Sequence, residues 1–149
     1  ASGAAPEPGA RVPLGVANTL RSGTDLTIIG YGKPVLDALA VAEQLSGEGV
    51  EVEVIDLRTV APFDERADLQ SVGRTRGAVI AHEGVQRYGV GAEIAGRIHE
   101  ELFDTLVAPV ARVGAAFTPV PFSASLEQAY LPGPSRIEAA VRATLDRAG

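Results

Sequence analysis

From Gly15 onward, short β-prone runs alternate with stretches in which apolar residues recur about every 3.6 positions. Strands that run parallel need long crossover connections, and helix-length segments stand between the runs, so the alternation implies βαβ units. A parallel core sheet with helices on both faces follows, and a three-layer α/β/α domain is the expected fold class.

The segments can be placed in order. Val16 to Arg21 and Leu26 to Gly30 flank the turn "SGTD" at 22–25, a pattern that predicts a hairpin and hence a mixed sheet. In "KPVLDALAVAEQLSGEG", Val35, Leu36, Leu39, Ala42 and Leu45 form one helical stripe, with Pro34 in the first turn and Gly47 or Gly49 placed to end it. "VEVEVIDL" at 50–57 sets Val50, Val52 and Val54 against Glu51 and Glu53, so one face of its first half is expected to meet solvent. Asp64 is placed to cap a short helix, because its side-chain oxygen can accept from free first-turn amides. "GAVIAHE" at 77–83 and "APVARVG" at 108–114 read as strands. Between them Val90, Ile94, Ile98 and Leu102 share a helix face, and Ile137, Ala140, Val141, Thr144 and Leu145 do so in the last helix. "AAFTPVPFSASLEQAYLPGP" reads as a proline-broken loop.

Composition narrows the chemistry. A chain of 149 residues is sized for one domain with a full core. Residues 1–13, "ASGAAPEPGARVP", have the make-up of a linker or mobile arm, leaving 14–149 as the domain. With Met absent, even at position 1, a chain trimmed or cut from something longer is expected. Zero Cys excludes disulfides and thiolate chemistry, and two His leave little for a metal site. Net charge is −6 and the basic residues are scattered, which argues against nucleic acid. No apolar run has the length of a membrane span and no signal peptide is visible, so a soluble, cytoplasmic protein is expected.

The stretch "AHEGVQRYGVGAEIAGRIHE", residues 81–100, is the densest in reactive residue types. Neighbouring strand residues point to opposite faces, so His82 and Glu83 need not act together, and the helix-borne His99 and Glu100 diverge by about 100°. Gly89, Gly91 and Gly96 match neither the dinucleotide fingerprint nor a P-loop. They are read as letting the backbone turn tightly and the helix approach the sheet. Ligands of open α/β sheets gather at the carboxyl ends of strands. That edge would bring Tyr31, Lys33, Arg58, Asp64, His82, Glu83, Phe117 and Phe122 to one rim, with Tyr88 beside them. A rim so mixed suits a partner surface at least as well as a pocket. Glu100 and Asp104, four apart, share a helix face that would suit a basic partner or plain solvent. Ser123 and Ser125 lack a partnered base, and no residue is assigned to catalysis, cofactor or metal.

Six blocks in order, "VPLGVANTLRSGTDLTIIGYG", "VEVIDLRTVAPFD", "AVIAHEG", "GVGAEIAGRIHEELFDTLVAPVARV", "TPVPF" and "YLPGPSRIEAAVRATL", resemble the C-terminal domain of the beta chain of the decarboxylating component of 2-oxo acid dehydrogenase complexes. The resemblance runs from about Pro13 to the end. It implies a transketolase C-terminal-like fold, with a five-stranded mixed sheet whose first strand is antiparallel. It also implies a parent enzyme that uses thiamine diphosphate and magnesium on pyruvate or a branched-chain 2-oxo acid and acylates lipoyl groups. In that family the diphosphate and magnesium are held mainly by the alpha chain and the glutamate that activates the aminopyrimidine lies in the N-terminal domain of the beta chain, so the isolated domain is expected to bind no cofactor and be inactive. The implied partners are that N-terminal domain, the alpha chain, a second beta chain and the subunit-binding domain of the acyltransferase. Two positions depart from the pattern. Val107 stands where the family often has a carboxylate, a contact for a basic partner, and Phe117 stands where it usually has Asp. The alternatives are a free-standing interaction domain that assembles with separately encoded thiamine-binding subunits, and the end domain of a transketolase-type enzyme. A small-molecule-binding regulator on a doubly wound sheet is a third, carried by fold analogy alone.

Overall fold

The computed structural model describes Glu7 and residues 9–148, so the expected arm over residues 1–13 falls in part outside the described residues. The elements run β1 (Asn18–Arg21), β2 (Leu26–Gly30), α1 (Lys33–Ser46), β3 (Val52–Asp56), α2 (Glu65–Thr75), β4 (Ala78–Val85), α3 (Val90–Leu102), β5 (Ala111–Ala115), α4 (Ala124–Tyr130) and α5 (Pro134–Ala148). One five-stranded sheet has the order β1-β3-β2-β4-β5. Only β1 is antiparallel, and helices cover both faces, which is the expected three-layer architecture.

The hairpin expected between β1 and β2 does not form, because β1 pairs with β3. The turn at 22–25 instead crosses the start of β3. The amides of Thr24 and Asp25 both donate to the Glu51 carbonyl at 2.9 Å, and the Glu51 amide donates to Asp25 Oδ2 at 2.7 Å. A side chain at Gly23 would lie 2.3 Å from the Glu53 nitrogen, so only glycine lets the crossing chain sit this close. β3 is thereby held between the two strands that the turn connects.

One face of the sheet is covered by α1 and α5. There Leu26, Ile28, Val52, Val54, Val79 and Ala81 meet Val35, Val41, Leu45, Ile137 and Val141 in a dry apolar layer. Each wholly buried aliphatic side chain contributes roughly 1.5–3 kcal/mol. Leu36, placed by its spacing on the α1 stripe, is in fact 48% exposed, and Ala38 and Val41 take the inner positions.

The other face, under α2 and α3, mixes apolar and polar groups. Ile29, Leu57, Val72, Ile80, Ile94 and Ile98 make its core. Beside them the Thr27 hydroxyl lies 2.7 Å from that of Ser71 and 2.8 Å from that of Thr75. Glu53, expected to reach solvent, is buried because α2 lies over it, and its carboxylate accepts from Ser71 and, at 2.7 Å, from Arg74. Asp64 caps α2 as expected, its Oδ1 accepting from the Ala67 amide at 3.1 Å, while Oδ2 takes the Ala17 amide at 3.0 Å and ties the approach to β1 to that helix. The stripe read for α3 faces inward, and so do Ile137, Val141 and Thr144 of α5. In the expected loop after β5, Ala124–Tyr130 forms a helix of seven residues, too short for its period to show between prolines.

Candidate functional site

The register aligns the carboxyl ends of the parallel strands: Gly30 lies beside Asp56 and Ala81, and Val85 beside Ala115. Antiparallel β1 starts at the same edge, since Asn18 pairs with Asp56. The loops after β2, β3, β4 and β5, and the approach to β1, therefore meet the sheet at one edge.

Most exposed large apolar side chains of the described residues belong to this rim: Val16 before β1, Leu36 at the start of α1, Val60 after β3, Tyr88 between β4 and α3, and Phe117, Val120 and Phe122 after β5. Phe103, at the far end of α3, and Leu20, within β1, are set apart from it.

The polar candidates separate into distinct roles. Lys33 is paired with Asp37 at 2.6 Å, and both carboxylate oxygens of Asp64 are occupied by backbone amides. Arg58 is exposed in a left-handed conformation at φ 57°, its amide donating to Asp56 Oδ1 at 3.0 Å. Glu83 is exposed. Tyr31 is half-buried and stacks on His82 with ring centroids 5.8 Å apart and planes 3° from parallel. Burial, and then the charge of Glu83, raise its hydroxyl pKa above the ordinary value.

His82 is not on the rim but under it, wholly buried, with neither ring nitrogen hydrogen-bonded. The glycines around it explain how an imidazole fits there. A Cβ at Gly91 would stand 2.4 Å from its Nε2, one at Gly89 would be 3.3 Å from Cε1, and one at Gly84 would be 3.2 Å from Nδ1. The glycine run of residues 89–91 is thus a slot for His82, with Tyr31 as its lid, rather than a cradle for phosphate. Burial lowers the imidazole pKa below its ordinary value; the Gly84 backbone opposes the shift without hydrogen-bond geometry, and the nearby Arg112 charge adds to it.

Tyr88 is 89% exposed and also left-handed, at φ 57°, a conformation that costs a non-glycine residue roughly 1–2 kcal/mol. Its ring meets Phe117 edge-on at 5.8 Å, and the Arg87 guanidinium lies 6.0 Å from the Phe117 centroid. A groove of about 370 Å³ between Arg87, Tyr88, Ala92 and Arg112 adjoins a smaller one of about 210 Å³ lined by Val85, Phe117, Thr118 and Pro119. Neither Arg87 nor Arg112 has a carboxylate within ion-pair distance among the described residues. Sequence reasoning passed over this cation pair, although "QRYG" beside the aromatic Tyr88 was a visible signal for half of it.

The proposed acidic pair is split. α3 ends at Leu102, so Asp104 lies in the following turn rather than on a shared helix face, and Glu100 is paired with Arg97 at 2.9 Å. Next to them in sequence, His99, Phe103, Leu106, Val107, Ala108 and Pro109 line a groove of about 260 Å³. Asp68, which no sequence signal marked, is buried with both carboxyl oxygens unpartnered. Burial, reinforced by Asp64 and Glu65, pushes its pKa up to about 8.

Among the described residues no group of three or more His, Asp or Glu side chains could hold a metal ion. With the glycine slot filled by His82, these residues do not fit a magnesium and diphosphate site. No helix of the described residues is long and apolar enough to cross a membrane.

The family model described as transketolase, C-terminal domain, matches residues 15–137. Over 147 residues the chain is 42% identical to the beta subunit of acetoin:2,6-dichlorophenolindophenol oxidoreductase of Bacillus subtilis, covering 99% of this chain and 42% of that protein. It is 40% identical over 141 residues to the pyruvate dehydrogenase E1 component subunit beta of Staphylococcus epidermidis, covering 95% of this chain and 43% of that one. It is 44% identical over 133 residues to the 3-methyl-2-oxobutanoate dehydrogenase subunit beta of Mycobacterium tuberculosis, covering 89% and 37%. The chain thus spans less than half the length of these relatives. Among solved structures, a split gene transketolase in an inactive beta4 tetramer superposes with a TM-score of 0.78 at 26% identity, over 96% of this chain and 45% of that one.

Proposed function

The chain belongs to the transketolase C-terminal domain family, and on that premise we propose that it is the C-terminal subunit-pairing and docking domain of a thiamine diphosphate-dependent 2-oxo acid dehydrogenase beta chain. The parent enzyme would decarboxylate pyruvate or a branched-chain 2-oxo acid and acylate lipoyl groups in the cytoplasm. The relatives named for acetoin add a different substrate class, a hydroxy ketone with no carboxylate to lose. One observation carries the reading: exposed apolar side chains crowd the carboxyl rim, where a free monomer would leave them wet. Permanent interfaces bury about 2,000 Å² or more, and this rim is the surface suited to that role, against the N-terminal domain of the same beta chain, the alpha chain or a second beta chain. The groove at Val107, next in sequence to Glu100 and Asp104, is the corresponding candidate for acyltransferase docking. In this reading thiamine diphosphate and magnesium are supplied and held by the other domains. This chain contributes assembly and no chemistry.

The test is reconstitution. The chain alone, given thiamine diphosphate, magnesium and pyruvate or 3-methyl-2-oxobutanoate, is expected to bind no cofactor by calorimetry and to release no carbon dioxide. Co-expressed with an alpha chain and the N-terminal half of a beta chain, it should co-purify and support 2-oxo acid-dependent dye reduction. Turnover by the chain alone, or failure to co-purify, rules the proposal out. A transketolase-type parent is the second reading, favoured by the superposition on the split gene transketolase. Ketol transfer between sugar phosphates by the reconstituted assembly would select it.

A further inference from the structure

We propose that the rim surface around Tyr88 and Phe117 receives a segment of a different polypeptide, one that carries a carboxylate beside an apolar or aromatic side chain. The inference rests on the assembly reading above and gives it a chemistry. The surface has two adjoining parts. The apolar part is the groove walled by Phe117 and Pro119, with Phe122 fully exposed nearby in sequence. The cationic part is the groove between Arg87 and Arg112, whose guanidinium groups meet no carboxylate among the described residues.

Charge distinguishes this surface from the molecule's other grooves. In the groove between α2 and α3, Arg97 is neutralised by Glu65 at 2.6 Å and Glu100 at 2.9 Å, and Arg66 shares the lining with the carboxylates Glu65 and Glu101, so both signs of charge are present. The groove at Val107 has His99 as its one titratable side chain, and that ring's Nδ1 is bonded to the Ala95 carbonyl at 2.7 Å. In a chain of net charge −6, Arg87, beside the Phe117 ring, and Arg112, whose Nη1 donates to the Gln86 carbonyl at 3.3 Å, line one groove without a carboxylate among the described residues, and such a groove suits a carboxylate from outside. The aromatic part excludes a small free anion as the whole occupant, because water would still bathe Phe117 and Phe122. Two arginines are too few to hold a polyanion by counterion release. A second copy in two-fold contact would set this cationic surface against itself, since an isologous interface joins the same patch on both subunits. The Tyr88 ring already rests edge-on against Phe117, with centroids 5.8 Å apart, so the two aromatic side chains present one surface to a partner.

The test uses the 149-residue chain and two ten-residue peptides, one alternating Glu with Leu and Phe, the other its twin with Lys at every Glu. The acidic peptide should shift the backbone resonances of Arg87, Tyr88, Ala92 and Thr118, and the basic twin should not. Arg87→Glu should weaken the acidic peptide at least tenfold, and Phe117→Asp should do so with the circular dichroism spectrum unchanged. Equal binding of both peptides, shifts confined to other surfaces, or no shift at millimolar peptide would overturn the proposal. So would sedimentation showing a wild-type dimer that Phe117→Asp converts to monomer, since the occupant would then be a second copy. The peptide readout needs no thiamine-binding subunit, so reconstitution can fail while this mapping succeeds, and the reverse.

Discussion

The two faces of the sheet are built on different principles. Under α1 and α5 the contacts are apolar, and the one buried polar side chain there among the described residues, Thr144, satisfies itself on the Ala140 carbonyl of its own helix. Under α2 and α3 lie Thr27, Glu53, Asp68, Ser71, Thr75 and His82, and apart from Asp68 and His82 they depend on one another or on Arg74. The first face gains stability from area alone. The second holds groups whose protonation or spacing must suit neighbours far away in sequence, so the two faces should respond differently to the same insult.

The largest effect belongs to the apolar face. Ile28→Ala should cost about 2–5 kcal/mol in urea unfolding, equally at pH 5 and pH 9, because only transfer and cavity terms are involved. A pH-dependent loss there would erase the distinction between the faces. On the polar face, Gly91→Ala pushes a methyl group against the His82 ring and should cost about 1–3 kcal/mol. Combined with His82→Ala it should cost far less than the sum of the two, and strict additivity in the double-mutant cycle would remove His82 as the cause.

The two orphaned titratable groups sharpen the comparison through pH. Asp68 has its pKa raised from 3.8 to about 8 in the folded state, so the native protein holds a proton that the unfolded chain has released between those values. Its contribution is complete below about pH 4 and is lost as pH rises through about 8, with a slope of at most about 1.4 kcal/mol per pH unit. Asp68→Leu should flatten the stability profile between about pH 4 and pH 8, and an unchanged slope in that window would place the loss elsewhere. His82 is shifted downward, so the unfolded chain binds the proton more readily and stability falls as pH drops below the ordinary imidazole value of 6.5. His82→Phe, with Tyr31 still beside it, should flatten the acid limb measured by thermal melts. The smallest effect is on the surface. Arg142, which joins Glu48 at 2.8 Å and Glu138 at 2.9 Å, should change the melting midpoint little when replaced by Ala, and not at all in high salt.

This contrast also marks what could be read from the sequence. Val90, Ile94, Ile98 and Leu102 declare their helix face because the information is local, and Asp64 declares its cap for the same reason. The βαβ series and the carboxyl rim follow from element order. Glu53 misled because strand alternation says which face a residue occupies but not whether a helix will cover that face. The hairpin misled because a turn signal is silent about a third strand inserting between its arms. His82 reads as a rim residue because nothing in its neighbourhood announces that the residues seven and nine positions later leave room for its ring. Asp68 sits in a helix opening with two other acids, a setting that ordinarily means solvent.

The slot around His82 also imposes an order on mutational history. A lineage that first loses the imidazole is then free to fill position 91, whereas one that first acquires a side chain at Gly91 must displace a buried ring at once. The two substitutions are therefore not interchangeable steps. Descendants should be found with neither change, with the change at His82 alone, or with both, and seldom with a side chain at position 91 facing an intact histidine.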